Sequence, residues 1–408
     1  MFTSHSRNAV RYYILVALFL AFLFFSNDFG LIDTQKTAIV TAAGIDREGD
    51  TFILTSQIAI PQSSTQGKST QAVQLVSEGK TISEAFEQIN AKTGWYPKLV
   101  FCKLLLLGKK TAEQNVFDAL DFFLLDEYLT DDCLVAVCDG NAKDLLDTSA
   151  LVDATSSIAI ERVLSDHAER VGAVHPSTLK DFAVGYFGDD KSGLLPVLKK
   201  EKQQEGGSSS QNSSKSTSSA QNSSSSESGE QSGGQKEKEK PVFSAKETAL
   251  FTNGTWKATL TPEETFAVNA AISKLRLASY SVDVNGERCT LTIKHNDPKI
   301  QLKVGEEGNG QLKVRLTMTA GVADYSKSID LRKLADAGNV PDGVFAAAEK
   351  KLAAELTSAY EKAKAVGCDV FGVKERLIKY KNRKYHVQKE DFLGRTVFTA
   401  DVRFEGIR

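Results

Sequence analysis

Residues 201–240 are almost purely Ser, Gly, Gln, Asn, Lys and Glu, without one aromatic or branched aliphatic side chain. Nothing in such a run repays the entropy of ordering its backbone, so the segment is predicted to be disordered. Strand-like segments border it on both sides, Leu194–Leu198 before it and Ala249–Phe251 with Trp256–Leu260 after it. The run therefore reads as a long loop inserted within one domain, an insertion that is tolerated because loop-closure entropy grows only logarithmically with length. A chain of 408 residues also exceeds one ordinary core, so several are expected.

A second feature stands at the N-terminus. Tyr12–Phe25 (YYILVALFLAFLFF) is unbroken apolar and follows Arg7 and Arg11, which the positive-inside rule keeps in the cytoplasm. Fourteen residues fall short of the roughly 20 that span a bilayer, and a stretch that short also suits the core of a cleaved signal peptide. Phe24 and Phe25 stand where cleavage needs small residues, which favours an uncleaved signal anchor. Phe29, Leu31 and Ile32 then complete the span, with Asp28 near the outer headgroups and the rest of the chain outside the cytoplasm.

Beyond the anchor, Lys36–Ile45 and Thr51–Pro61 around a polar turn predict a β-hairpin. Thr81 with Glu84 forms a capping box ahead of Ile82, Ala85, Phe86 and Ile89, one helical face. Leu99–Leu107 and Cys133–Cys138 read as buried strands, with a helix from Thr111 and Gln114 through Leu124 between them and Asn141 as the cap of the next. A further helix is expected over Ser156–Val171. Thr261-Pro262-Glu263-Glu264 is a helix start, Cys289–Ile293, Ile300–Val304 and Leu312–Thr319 predict an antiparallel sheet, and Asp342–Lys364 keeps a helical period. The expected fold class is α+β: three mixed α/β domains with mixed or antiparallel sheets behind one transmembrane helix. The boundaries are a cytoplasmic tip and anchor at 1–32, an N-terminal domain at 33–152, a middle domain at 153–277 carrying the insertion 201–240, and a C-terminal antiparallel sheet with a long helix at 278–408.

A formal net charge of -2 with Lys and Arg spread along the chain leaves no footprint for nucleic acid. Five cysteines at scattered spacings make no disulfide framework and read as buried apolar thiols, and the five isolated histidines offer no zinc spacing. GKST (Gly67–Thr70) lacks the first glycine of a phosphate loop, whose position is Gln62, and GEEGNG (Gly305–Gly310) sits among antiparallel strands as a hairpin turn. The adjacent carboxylates Asp131 with Asp132 and Asp189 with Asp190 read as solvated loop charges. No catalytic, cofactor-binding or metal-ligating residue is assigned, and no cofactor.

TAIVTAAGIDREGDTFILTSQIAIP (Thr37–Pro61) resembles the opening of the mature Ger(x)C family, the C subunits of GerA-type nutrient germinant receptors of endospore-forming bacteria. SEGKTISEAFEQI, VFCKLLLLG, FDALDFFLLD, AKDLLD, LLPVL, ALFTNGTWKATLTPEET and the helix leading into CDVFGV (Cys368–Val373) recur in family order. Each motif is weak alone and their ordered succession is specific; only the anchor and the Ser-rich run fall outside it. Family members usually carry a lipobox cysteine about ten positions before AIVT, whereas Asp28 stands near that position here and no cysteine precedes Cys102. Lipid attachment is thereby excluded, and the apolar helix takes over the anchoring. The resemblance implies a non-enzymatic subunit on the outer face of the spore inner membrane, partnered by integral-membrane A and B subunits, in spore germination signalling. The alternative is a surface-anchored solute-binding protein, which needs an aromatic-lined cleft.

Overall fold

The hairpin expected after Lys36 forms in the computed structural model from β1 (Thr37–Glu48) and β2 (Thr51–Ala59), paired from Glu48↔Thr51 to Ile39↔Ala59 with a register shift between Val40 and Ala42. The structure describes residues 12–20, 37–59, 72–148, 153, 155–165, 168, 170–201, 242–284, 286–305, 308–325, 343–388 and 391–407. Gly67–Thr70 and nearly all of the Ser-rich run lie outside them. Residues 12–20 are helical and exposed; among the described residues no helix is long and apolar enough to cross a membrane, and the remainder of the expected anchor lies outside them.

Seven further strands join the hairpin: β3 (Ala72–Gly79), β4 (Tyr96–Lys98), β5 (Leu104–Leu107), β6 (Leu134–Cys138), β7 (Ser192–Glu201), β8 (Val242–Thr252) and β9 (Thr255–Leu260). The order is β3-β2-β1-β5-β6-β7-β8-β9, with β4 beside the start of β1. This one sheet draws strands from both the 33–152 and the 153–277 segments, and the insertion joins its neighbours β7 and β8, which pair antiparallel. At its centre β1, β5, β6 and β7 run parallel. Parallel strands need crossovers, and these cover both faces. Along Leu104–Leu107 alternate side chains point to opposite faces. Leu105 and Leu107 meet α1 (Ile82–Thr93), α3 (Phe117–Leu125) and α6 (Leu179–Phe187) through Phe86, Phe123 and Phe182. Leu104 and Leu106 meet α4 (Ala142–Leu146) and α5 (Ser156–Val163) through Leu145, Leu146 and Ile160.

The side-chain caps expected at α1 and α7 (Pro262–Ile272) form, whereas Asn141 makes no capping bond to α4, whose first turn is taken by Asp46. Thr81 caps α1, its Oγ1 accepting from Glu84 N at 3.2 Å while Glu84 Oε2 accepts from Lys80 N. Thr111 does not cap the next long helix. It lies in α2 (Lys109–Ala112), where its hydroxyl donates to Ile45 O at 3.0 Å, and Asn115 instead accepts from Phe117 N at the head of α3. The helix expected over Ser156–Val171 ends at Val163, capped by Thr155.

The second sheet follows the order β10 (Ala278–Val284), β11 (Glu287–Val304), β12 (Gly310–Tyr325), β13 (Thr396–Gly406). The expected segments Cys289–Ile293 and Ile300–Val304 are one strand. Because β10 pairs only as far as Ile293, the later half of β11 is an edge on that side, and Pro298, opposite Leu316, breaks no ladder bond there. The sheet is not wholly antiparallel, since β13 returns parallel to β12 after the crossover through α8 (Val344–Ala365) and α9 (Val373–Gln388). Val344, Ala348, Leu352, Leu356 and Tyr360 of α8 cover one face of this sheet. All five cysteines are buried, as read from the sequence, and none is paired as a disulfide.

Candidate functional site

In open α/β sheets ligands bind in the crevice beyond the carboxyl ends of the parallel strands. Here that crevice holds the chain's own carboxylate. Asp46, near the end of β1 and only 7% exposed, accepts from Ala142 N at 2.8 Å and Lys143 N at 3.0 Å, the first turn of α4. Burial pushes its carboxyl up, against the lowering effect of those two bonds. A groove of about 550 Å³ remains beside it, lined among others by Asp139, Asp144, Lys199 and Lys200. Its charges are engaged with one another: Lys109 pairs with Asp139 at 3.1 Å, Lys199 with Glu247 at 2.7 Å, and Lys200 donates to the Asp144 carbonyl. Burial, and then Asp46, push the Cys138 thiol up, so it stays protonated. The arrangement braces the strand ends and offers no poised nucleophile.

The second concentration of buried polar groups surrounds α7 (Pro262–Ile272). Thr261, Pro262 and Glu264 form the capping box read from the sequence. Every residue from Glu264 to Ala271 is buried, so the helix is enclosed on all sides. Its polar side chains reach different elements. Glu264 pairs with Lys362 and accepts from Ser358 Oγ, both on α8. Burial opposes its ionisation, but Lys362, the Thr261 N–H and Ser358 together hold the carboxyl below the usual glutamate range. Thr265 bonds Thr248 on β8 at 3.1 Å. Asn269 donates to Gly172 O and Val174 O and accepts from His175 Nδ1 at 2.8 Å, which fixes the loop before α6. From the other sheet, Asn296 of β11 takes the end of α7, accepting from Leu275 N and donating to Ala270 O and Ser273 O. Leu250 and Leu260 of the first sheet share one apolar cluster with the second sheet and α8. The helix is thus the joint through which both sheets are held.

A second contact between the two parts lies at the start of β7. Ser192 Oγ accepts from Asp369 N at 2.9 Å, Asp369 Oδ2 accepts from Lys374 N at the head of α9, and Thr252 donates to Val366 O. Asp190 stands beside this contact and is not the solvated loop charge expected. Burial, then the charge of Asp369, push its carboxyl up to about 6; burial raises Asp369 too. An acid raised in the folded state binds its proton more tightly than the unfolded chain does. Its contribution to stability is therefore full below about 4 and lost as the pH rises through about 6. Asp190→Asn is expected to leave the stability, and with it the melting temperature, unchanged near pH 4 and to add about 1 kcal/mol of stability at pH 7.5 after solvent screening of this half-buried group. Melting curves at the two pH values check this, and an equal difference at both counts against it.

The other carboxylates singled out are ordinary. Asp131 pairs with Lys180 and Asp132 with Lys103 in exposed positions. Among the described residues no group of three or more His, Cys, Asp or Glu is placed to hold a metal ion. The joint residues Asn269, Asn296 and Asp369 were not singled out by the sequence; their only local signal is Asp369 four residues ahead of α9.

Two family models match. The spore germination protein N-terminal domain covers residues 32–200, and the spore germination B3/GerAC-like C-terminal domain covers 246–405. No curated protein matches the chain significantly. Among solved structures, the crystal structure of the GerBC protein is similar with 16% identity and a TM-score of 0.47, over 89% of this chain and 96% of that one. The two family matches lie on either side of the insertion and take in both sheets, so the chain belongs to the Ger(x)C family of spore germinant receptor C subunits.

Proposed function

We propose that this chain is a non-enzymatic subunit of a nutrient germinant receptor, tethered to the spore inner membrane by its N-terminal helix with the folded bulk outside the cytoplasm. Integral-membrane A and B subunits are its partners, and it relays the nutrient signal without transforming the nutrient. The observation that carries this reading is the enclosed helix α7: Thr265 ties it to the first sheet, Glu264 ties it to α8, and Asn296 of the second sheet holds its end, in one mechanical unit. A body that must transmit a displacement needs such a rigid path between its parts. The crevice filled by Asp46 supports the same reading, because the position that an α/β enzyme keeps open for a ligand is taken by structure here. The tether is supported by the apolar run from Tyr12 and by the exposed helix over residues 12–20.

Spores lacking this chain are expected to lose the response to the nutrients of the cognate receptor while vegetative growth is unaffected. Germination that proceeds unchanged with every cognate nutrient overturns the reading. In fractionated spores the chain is expected with the inner membrane, to move to the soluble fraction when residues 1–32 are removed, and to co-purify with the A and B subunits. Recovery of the intact chain from the cytosol sinks the tether.

A further inference from the structure

The two ends of the parallel strands are unlike. At the carboxyl end stand Lys109, Asp139, Asp144, Lys199 and Lys200, paired or bonded to one another. At the amino end stand Trp95, Tyr96, Val100, Phe101, Leu125 and Tyr128, all between 41 and 82% exposed. Each of these six lies in the connection that leads into a strand. Trp95 and Tyr96 follow α1 into β4, and Phe101 precedes β5. Val100 stands beside Phe101 ahead of β5, while Leu125 closes α3 and Tyr128 follows it on the way to β6. Most of the large exposed apolar side chains carried by the first sheet and its helices thus gather on one rim, a distribution that scattered surface hydrophobics do not show.

The same rim is where the chain arrives from its N-terminal segment. Thr37, the first residue of β1, pairs with Tyr96 itself, and Ile39 with Lys98. Only four residues, Asp33 to Lys36, separate Ile32 from Thr37. Fully extended, that connection reaches at most about 18 Å. We propose that this rim is seated in the headgroup layer of the bilayer, so that the folded part rests on the membrane in a fixed orientation with its charged rim toward water. The inference depends on the tether proposed above and adds a contact to it.

The residue types suit that layer, since Trp and Tyr concentrate at membrane interfaces, with an apolar body and a polar tip. Lys98 lies over the Tyr128 ring at 4.2 Å, and its stem supplies further apolar surface while the ammonium reaches the headgroups. Asp131 and Asp132 are each ion-paired, to Lys180 and Lys103, which reduces the charge carried to the surface. With Asp126 and Glu127 also on this rim there is no excess of cations to favour anionic lipid. The contact is therefore apolar in origin and insensitive to salt.

The chain holds two tryptophans, and the second, Trp256 in β9, is half-buried with its Nε1 bonded to Ala258 O. Full-length Trp256→Phe protein reconstituted into phosphatidylcholine vesicles makes Trp95 the sole reporter. Trp95 emission is expected to shift to the blue and to be lost when the lipids carry bromine high on their acyl chains, equally at low and high salt. Phe101→Asp is expected to weaken the quenching, while Val397→Asp, at an equally exposed position on the second sheet, leaves it unchanged. Protein that does not float with the vesicles removes the tether. Protein that floats while Trp95 stays unquenched removes the present proposal alone. The proposal is equally overturned if Trp95 is shielded from iodide only in spore membranes that contain the partner subunits, which would make the rim a protein contact.

Discussion

Gly108→Ala is expected to destabilise the protein by about 3 kcal/mol, far more than one added methyl group usually does. Gly108 follows β5 and donates its N–H to Ile45 O, which draws the backbone against the end of β1. A Cβ built there overlaps Asp46 Oδ1 and lies 3.1 Å from Asp46 Cγ. The carboxylate then has to leave the N-terminus of α4, where it accepts from Ala142 and Lys143. Two backbone donors lose their partner, each worth about 1–3 kcal/mol when buried, and a buried carboxyl loses its own. The argument is one of space, because Gly108 has an ordinary φ of -63° that any residue adopts. A double-mutant cycle isolates it. With Asp46→Ala the obstacle is gone, and Gly108→Ala in that background is expected to cost less than about 1 kcal/mol, leaving a coupling of about 2 kcal/mol in denaturant unfolding. Additive effects would mean that the carboxylate is not what the methyl group meets.

How much of this was legible in the sequence depends on how local each determinant is. The hairpin after Lys36, α1 and α7 were legible because strand periodicity and the Thr81/Glu84 and Thr261/Glu264 caps act within a few residues. So was α8, whose apolar positions keep their period over six turns. The helix α6 is not among the elements expected from the sequence although Thr178 and Asp181 carry a capping signal, because its nine residues show little more than two turns of a period. β3 (AVQLVSEG) is an edge strand whose half-polar sequence passes for loop, and α9 is so charged that only the burial of Val373 and Leu377 reveals an inner side. Tertiary pairing decided the remainder. Asn269 meets His175 across 94 positions and Asp369 meets Ser192 across 177, and no pattern within a window announces such partners.

The same distinction explains why the fold concentrates buried polar groups that no sequence motif marks. Glu264 reaches from α7 to α8, Asn269 from α7 to the loop before α6 and Asn296 from β11 to the end of α7, so their polarity is used in holding parts together. A satisfied polar network of this kind specifies one relative placement of the two sheets, which apolar contacts alone define less sharply.

Asn296→Ala is expected to be the costliest single change in this network, at about 4 kcal/mol. The side chain is 1% exposed and uses all of its bonding capacity but one lone pair on α7, accepting from Leu275 N at 2.7 Å and donating to Ala270 O at 2.7 Å and Ser273 O at 2.9 Å. The carbonyls of Ala270 and Ser273 are of the kind that a helix end leaves without intrahelical partners, and the Leu275 N–H belongs to the turn that follows. Removing the amide strands one donor and two acceptors in a site closed to water, each costing about 1–3 kcal/mol, and partial collapse of the site keeps the total below their sum. Asn296→Asp separates the roles. The carboxylate still accepts from Leu275 but faces the two carbonyls with no proton to give, so it is as damaging as alanine at neutral pH. Burial against two carbonyls raises that carboxyl, so as the pH falls toward the ordinary carboxylate range it takes up a proton and recovers a donor, and stability returns, opposite to the acid loss expected where Lys362 and Thr261 hold Glu264 ionised. Hydrogen exchange reads the location: in Asn296→Ala the amides at the end of α7 and the Leu275 N–H are expected to lose protection first, while those of β5 and β6 keep theirs. Protection lost uniformly across both sheets would show that Asn296 supports the whole fold and not the joint.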